Sequence, residues 1–496
     1  MARTWTSGSV RGPVVSGSFY PGNPADLRRE VQAALARAPR PSQPAHAVIA
    51  PHAGYVFSGT VAARAVAALG VHPWRRVILL GPAHTMRYSG AALPEEGLRA
   101  FATPLGDVAL DREALACLKG FPLFRGPSQA HAGEHCLEVE LPLLQESIGD
   151  FLLVPILIGP ATAVETAREV ARHLADLLDA ETAMVVSTDF THHGRSYGFT
   201  PFPRDGHLGD RLLMLGRATA DRAAAMDPRG FFHQVEVSGD SVCGAAPVQV
   251  LLELLAHGFS GTGEVLEVTT SAAVSGTWDQ VVTYCAVAFH GRWQAWREPP
   301  VAPPLGALTA REGEALTALG RATLGSLLRH DESLAHWFAG HDVTGNLLAE
   351  GGVFVSLHRR PEYRGGDRRL RGCIGAIEPH GTLVDAVIHN ASAAARDPRF
   401  PPLEAHELAT LQVEVSVLSP FSRVADPADI VMGQHGVLLS RGNHRALFLP
   451  QVAIETGWDR GRFLSQLALK AGLPRDAWHS GADLQTFTAQ VFAEPE

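Results

Sequence analysis

The 496-residue chain is poor in cysteine: Cys117, Cys136, Cys243, Cys285 and Cys373 are five in number, scattered, and form no CxxC pair. That excludes a disulfide framework and a compact zinc finger. There is no CxxxCxxC either, so the chain does not itself carry the usual radical-SAM iron–sulfur cradle. Any thiol chemistry must rest on single cysteines. Long apolar runs are missing too. The longest, "FLLVPILIGPATAV", is broken by proline and glycine and is too short to span a bilayer. The opening residues, "MARTWTSGSVRGPVVSG", lack an apolar core of signal-peptide length. Excess positive charge is also lacking, with a net charge of -9 and a pI near 6.2. This removes the electrostatic basis for broad binding to nucleic acid or to an anionic membrane. The expectation is a cytoplasmic protein that engages neither.

What is present reads as globular: 46% hydrophobic and 19% charged residues. The length predicts two or three domains. The clearest seam is the proline cluster in "HGRWQAWREPPVAPPLGALTAREGEAL", which favours an extended spacer over helix or strand. A fresh amphipathic helix is predicted after it, beginning near Thr309. Upstream, "NPADLRREVQAALARA" offers Asn23 as a cap, Pro24 in the first turn and an apolar stripe at helical spacing. Short apolar runs at 47–50, 77–80, 152–158 and 183–187 alternate with helical stretches. That order predicts an α/β domain, its central and largely parallel sheet covered by helices on both faces. "EVLEVTTSAAVSG" and "QVVTYCAVAFHG" alternate strictly and predict a late hairpin.

Histidine recurs where such strands end. "HAVIAPHAGYVFSG" delivers His52, "RRVILLGPAHTMRYSG" delivers His84, and "AMVVSTDFTHHG" delivers Asp189 and His192. A single histidine in such a loop is ordinarily a hydrogen-bonded loop residue. Carboxyl ends of strands in open α/β sheets converge on one crevice, however, so three such exits point to a shared site. Cys243, in "SGDSVCGAAPVQVLLELLAHG", precedes an apolar-striped helix whose N-terminus would favour a thiolate. Thiolate with imidazole suits Fe(II), Zn or Cu and does not suit Mg or Ca. Glu134 and His135, in "HAGEHCLEVELPLL", open another helix and offer orienting groups, a general base or a plain helix start. Tyr20, Tyr55, Phe57 and Tyr197 could rim the pocket, although such residues more often pack.

The motifs "SGSFYPGNP", "IAPHAGYVFSG", "LGPAHT", "EHCLEVELP", "STDFTHHG" and "CGAAPV", in this order over roughly residues 10–292, resemble the Memo family. The resemblance implies the fold of class III extradiol-type non-haem iron dioxygenases. It implies a metal site at His52, His84 and Cys243, with Asp189 and His192 as further pocket residues. Where the dioxygenases supply a carboxylate ligand, a thiol stands here, which puts ring cleavage in doubt. After a linker at 293–307, the segment 308–494 is similar to the AMMECR family. Its "LRGCIG" signature covers Leu370 to Gly375, and "AARDPRFPPL" follows. An α+β second domain is implied. The fusion resembles the AmmeMemoRadiSam system, which implies a radical-SAM protein as partner.

Read from its residues, "RRLRGCIGAIEP" places Gly372 and Gly375 within a strand-like run, a sign of close backbone approach or a bulge. Arg371 beside Cys373, with Arg368 and Arg369 near, offers a reactive thiol or an anion site, against the plainer reading of a tightly packed strand. Arg396, Asp397 and Arg399 could line a cleft. "LQVEVSVLSPF" predicts a strand.

Three functions compete. One is a metal-dependent redox enzyme using Fe(II), or Cu or Zn, at His52, His84 and Cys243. Its substrate would be a small molecule or peptide, with Asp189, His192, Glu134 and His135 orienting it or moving protons. The second is a hydrolase in which Glu134 or Asp189 is the base. The third is a non-catalytic module that binds a peptide or a protein partner.

Overall fold

The computed structural model describes residues 8–39, 41–299, 302–329, 331–360, 369–377, 379, 381–424 and 426–495. Arg368 lies outside them. The chain divides into two compact units, Met1–Pro300 and Val301–Glu496.

In the first unit the four apolar runs form adjacent parallel strands. They lie in the order Ala45–Ala50, Thr182–Ser187, Arg76–Pro82 and Leu152–Ile158. Their alternation divides the core by face. Val48, Val77, Leu79 and Val185 turn to one side, where Leu27, Val31, Val61 and Val139 of the covering helices meet them. Ala47, Ile49, Ile78, Leu80 and Val186 turn to the other, against Val170, Leu174, Leu251 and Leu254. Burial on both faces is why these runs read as continuously apolar. The predicted hairpin, Phe259–Thr270 with Gln280–Trp293, extends the sheet antiparallel along Ala45–Ala50, with a register shift between Val265 and Glu267. Asn23 caps the helix Pro24–Arg37, its Oδ1 accepting from the N–H groups of Ala25 and Asp26.

In the second unit, the helix Ala310–Arg329 begins where expected. Thr309 Oγ1 accepts the Glu312 N–H, and the Glu312 carboxylate accepts the Thr309 N–H at 2.7 Å, a reciprocal cap. One antiparallel sheet runs Arg369–Ala376, Val353–Arg359, Leu411–Leu418, Ala489–Ala493. Another runs Ser422–Arg423, Asp483–Phe487, Gly436–Arg441, His444–Phe448. "LRGCIG" is thus strand, and its glycines mark close approach. A Cβ on Gly372 would lie 2.3 Å from the Ala394 carbonyl oxygen, and one on Gly375 would lie 2.2 Å from the Phe354 ring. No helix among the described residues is long and apolar enough to cross a membrane.

Candidate metal centre

His52 and His84 each sit two residues beyond a parallel strand, on the same edge of the sheet. His135 stands as N-cap of the helix Cys136–Ile148. That helix reaches the strand end because residue 81 is glycine: a Cβ there would lie 2.5 Å from Cys136 Sγ. The three rings converge. Centroids are 5.2 Å apart for His52 and His84, 5.5 Å for His52 and His135, and 5.0 Å for His84 and His135. One ring nitrogen from each lies within 4.8 Å of the other two.

Their orientation is set from behind. Glu134, 2% exposed, accepts the His84 N–H at 2.8 Å, the His135 N–H at 2.9 Å and the Cys136 N–H at 3.2 Å. It also faces His84 Nδ1 at 2.8 Å and His135 Nδ1 at 3.2 Å. Although burial opposes its charge, hydrogen bonds from His135 and His84 hold the carboxyl well below the usual range. A carboxylate can only accept, so Nδ1 is the donor in both rings and Nε2 is left free. Ser187 does the same for His52: its hydroxyl proton goes to the Cys136 carbonyl or to Glu140, so its Oγ accepts from His52 Nδ1 at 3.0 Å. Burial, then the neighbouring His84 and His135, push His52 well below its ordinary value, toward the neutral ring.

Cys243 joins on the His52 side, with Sγ 3.4 Å from His52 Nε2. It precedes the helix Ala245–Gly258 and accepts the Asp189 N–H at 3.3 Å. Burial, reinforced by Asp189, pushes its thiol up. The tight approach again needs glycine, because a Cβ on Gly244 would lie 2.5 Å from Thr188 Oγ1. Asp189 Oδ1 accepts the His52 N–H at 2.9 Å, tying two strand exits together. His192 Nδ1 faces the carbonyl oxygens of Phe190 at 2.8 Å and Ser241 at 3.0 Å, so its Nε2 can accept a proton.

Of the sequence-predicted residues, His52, His84 and His135 bring three ring nitrogens together, with Glu134 behind them, while Cys243 and Asp189 reach this group through His52. The four aromatic residues divide between packing and exposure. Tyr20 and Tyr55 are buried, donating to the Glu138 carboxylate at 2.7 Å and to the Val139 carbonyl at 2.7 Å, and only Phe57 and Tyr197 are exposed.

Sequence reasoning missed the brace beneath. The buried Arg11 guanidinium donates to the His131 carbonyl at 2.8 Å, to Glu138 at 3.1 Å and to the Glu134 carbonyl. Glu140, fully buried, accepts Ser187 Oγ at 2.9 Å through Oε1, while its Oε2 has no partner among the described residues. Two acids inside the otherwise apolar "CLEVELPLL" were the available signal.

In the second unit Arg371 is committed elsewhere. Its guanidinium grips Glu407 at 2.9 and 2.8 Å and donates to the carbonyls of Pro401 and Pro402. The cation beside Cys373 is Arg399, which donates to the Cys373 carbonyl at 2.9 Å.

Residues 11–288 match the family model described as Memo-like protein, and residues 317–492 match the one described as AMMECR1. A MEMO1 family protein of Methanopyrus kandleri is 34% identical over 295 residues, covering 56% of this chain and 99% of that protein. Protein MEMO1 of Danio rerio is 30% identical over 285 residues, covering 55% and 95%. An uncharacterized protein of Pyrococcus horikoshii with a solved structure is 36% identical, covering 38% of this chain and 93% of that one, with a TM-score of 0.33.

Proposed function

Since the chain belongs to the Memo-like protein family and carries an AMMECR1 domain behind its Memo domain, we propose that it binds Fe(II) through His52, His84 and Cys243 and acts as a metal-dependent redox protein. The observation that carries this reading is the convergence of three imidazoles whose ring nitrogens lie within 4.8 Å, with a thiol sulfur 3.4 Å from His52 Nε2. Ligand atoms sharing one ion at about 2.0–2.3 Å stand roughly 3–4 Å apart, so the sulfur–nitrogen contact suits a common ion. Nitrogen and sulfur donors suit iron, and also copper or zinc.

Bound iron would supply a redox-active, Lewis-acidic position for a small-molecule or peptide substrate. The chain's own residues do the rest. Glu134 and Ser187 fix the Nδ1 protons of His84 and His52, aiming each Nε2 inward. His135 faces the same space with its Nδ1 tied to Glu134, so its Nε2 can take a proton from substrate and return it. His192 can do the same from the rim. Glu134 itself, held well below the ordinary carboxyl range, is a poor proton acceptor, which weighs against it as the base of the hydrolytic reading and leaves Asp189, whose carboxyl burial pushes up, for that role. A radical-SAM protein is the partner proposed for the fusion.

Anaerobic purification with elemental analysis tests this. Wild type should carry stoichiometric iron, His52→Ala, His84→Ala and Cys243→Ala should lose at least tenfold, and His135→Ala should retain it. Wild type without tightly bound iron or copper after anaerobic reconstitution, or an undiminished metal content in His52→Ala, would end the proposal.

A further inference from the structure

The motif "STDFTHHG" carries two adjacent histidines, and the metal centre draws only on the first. Both lie on the short strand His192–Gly194, which pairs antiparallel with the start of Gln280–Trp293, Val282 opposite His192 and Val281 opposite His193. Side chains alternate along a strand, so His193 turns away from His192 and shares a face with Val281. That face is apolar: Val281 packs with Leu208, Leu212, Ala272 and Phe202. His193 is 5% exposed, and its Nδ1 is sealed from solvent with no hydrogen-bond partner among the described residues. Buried ring nitrogens are ordinarily partnered. Burial pushes this ring below its ordinary value, toward the neutral form. A proton on Nδ1 would strand a buried donor, so the favoured tautomer carries it on Nε2, the ring nitrogen left to face outward.

His193 lines a cavity of about 600 Å³ together with Arg195, Phe202, Arg204, Trp278 and Asp279. Small-ligand sites span roughly 300–1,000 Å³. Two aromatic rings stand on it. The Trp278 indole lies across Gly209, where a Cβ would come within 2.6 Å of the ring, and it stays 37% exposed. Phe202 is backed by the Arg211 guanidinium, 5.8 Å from its ring centre. The charges leave one cation over: Arg204 and Asp279 pair with each other, whereas Arg195 has no ion-pair partner among the described residues.

We propose that this cavity binds a small aromatic monocarboxylate, its ring against Trp278 and Phe202 and its carboxylate on Arg195 and the His193 Nε2–H. A spare buried donor and one uncompensated guanidinium suit a single carboxylate, and the exposed indole suits a flat apolar body. A phosphate monoester would bring nearly twice the negative charge that the one cation balances. The site lies on the face of the strand opposite His192 and does not rest on the iron reading.

Isothermal titration of the intact chain with 2-naphthoate, and with 2-naphthamide as its neutral counterpart, tests this. The acid should bind saturably with a Kd below about 1 mM. It should bind about tenfold tighter than the amide, the effect of one charge-assisted hydrogen bond. Arg195→Gln should bring the two ligands within about twofold of each other, and His193→Ala should weaken the acid more than the amide. Trp278→Leu should weaken both about fivefold or more, and Trp278→Phe should recover most of that loss. Cys243→Ala, confined to the metal centre, should leave both affinities within about twofold of wild type. No saturable binding of the acid, equal affinity for acid and amide, or binding that survives Trp278→Leu and Arg195→Gln but fails in Cys243→Ala would overturn the proposal.

Discussion

Replacing Glu134 with glutamine tests the centre at its hinge. The carboxylate accepts backbone N–H groups from His84, His135 and Cys136 at 2.8, 2.9 and 3.2 Å, and the His84 Nδ1–H at 2.8 Å. An amide has one accepting oxygen. If that oxygen serves the His84 ring, His135 and Cys136, the NH2 group meets the His84 backbone N–H, donor against donor. Turned the other way, it strands four donors: the Nδ1–H groups of His84 and His135 and the backbone N–H groups of His135 and Cys136. The better orientation loses a charge-assisted hydrogen bond of about 1.5–3 kcal/mol and leaves a buried donor unpaired at about 1–3 kcal/mol. Glu134→Gln should therefore destabilise the metal-free protein by about 3 kcal/mol, lowering the melting temperature by roughly 6–12 °C. Because the ionised form is the one stabilised, the contribution is present above the ordinary glutamate pKa near 4.3 and fades as pH falls toward the depressed folded value. The gap between variant and wild type should then narrow in acid. With a neutral amide oxygen in place of the carboxylate behind both rings, Fe(II) affinity should fall about 10–100-fold. Calorimetric melting of metal-free protein and anaerobic Fe(II) competition titration measure the two effects. A variant that melts within about 2 °C of wild type at neutral pH would refute the reasoning, because the stability term does not depend on the metal.

Two further outcomes follow from the same geometry. Burial pushes the Glu140 carboxyl up to about 8, against the opposing hydrogen bond from Ser187. The folded state then holds a proton that the unfolded chain releases near pH 4.3, so stability falls as pH rises toward 8. Glu140→Gln should gain on wild type between pH 5 and 9, by on the order of 3–5 kcal/mol at most, as read by denaturant titration. A pH-independent difference would count against a protonated Glu140. Gly244→Ala places a Cβ 2.5 Å from Thr188 Oγ1 and must displace the loop that carries Cys243. It should cost about 1–3 kcal/mol and lower iron content more than a Gly258→Ala control, where the nearest atom is 3.6 Å away.

Much of the frame was legible along the chain because parallel strands buried on both faces must be continuously apolar, as at Val77–Leu80 and Ala183–Val186. His52, His84 and Asp189 could be placed at one crevice for the same reason: strand ends of one sheet share an edge. Tyr20 and Tyr55 show the limit of such reading. An aromatic ring near a strand end looks the same in sequence whether it rims a pocket or packs, and here Glu138 and the Val139 carbonyl draw both hydroxyls inward.

The sequence by itself determined the elements, the caps at Asn23 and Thr309, and the residue types available to a metal, since hydrophobic period and capping chemistry are local properties. Tertiary structure alone decided which groups meet. Arg11 reaches Glu134 and Glu138 across more than 120 positions, and Arg399 rather than Arg371 stands beside Cys373. Contacts of that kind depend on how finished elements pack against one another, and no spacing along the chain records them.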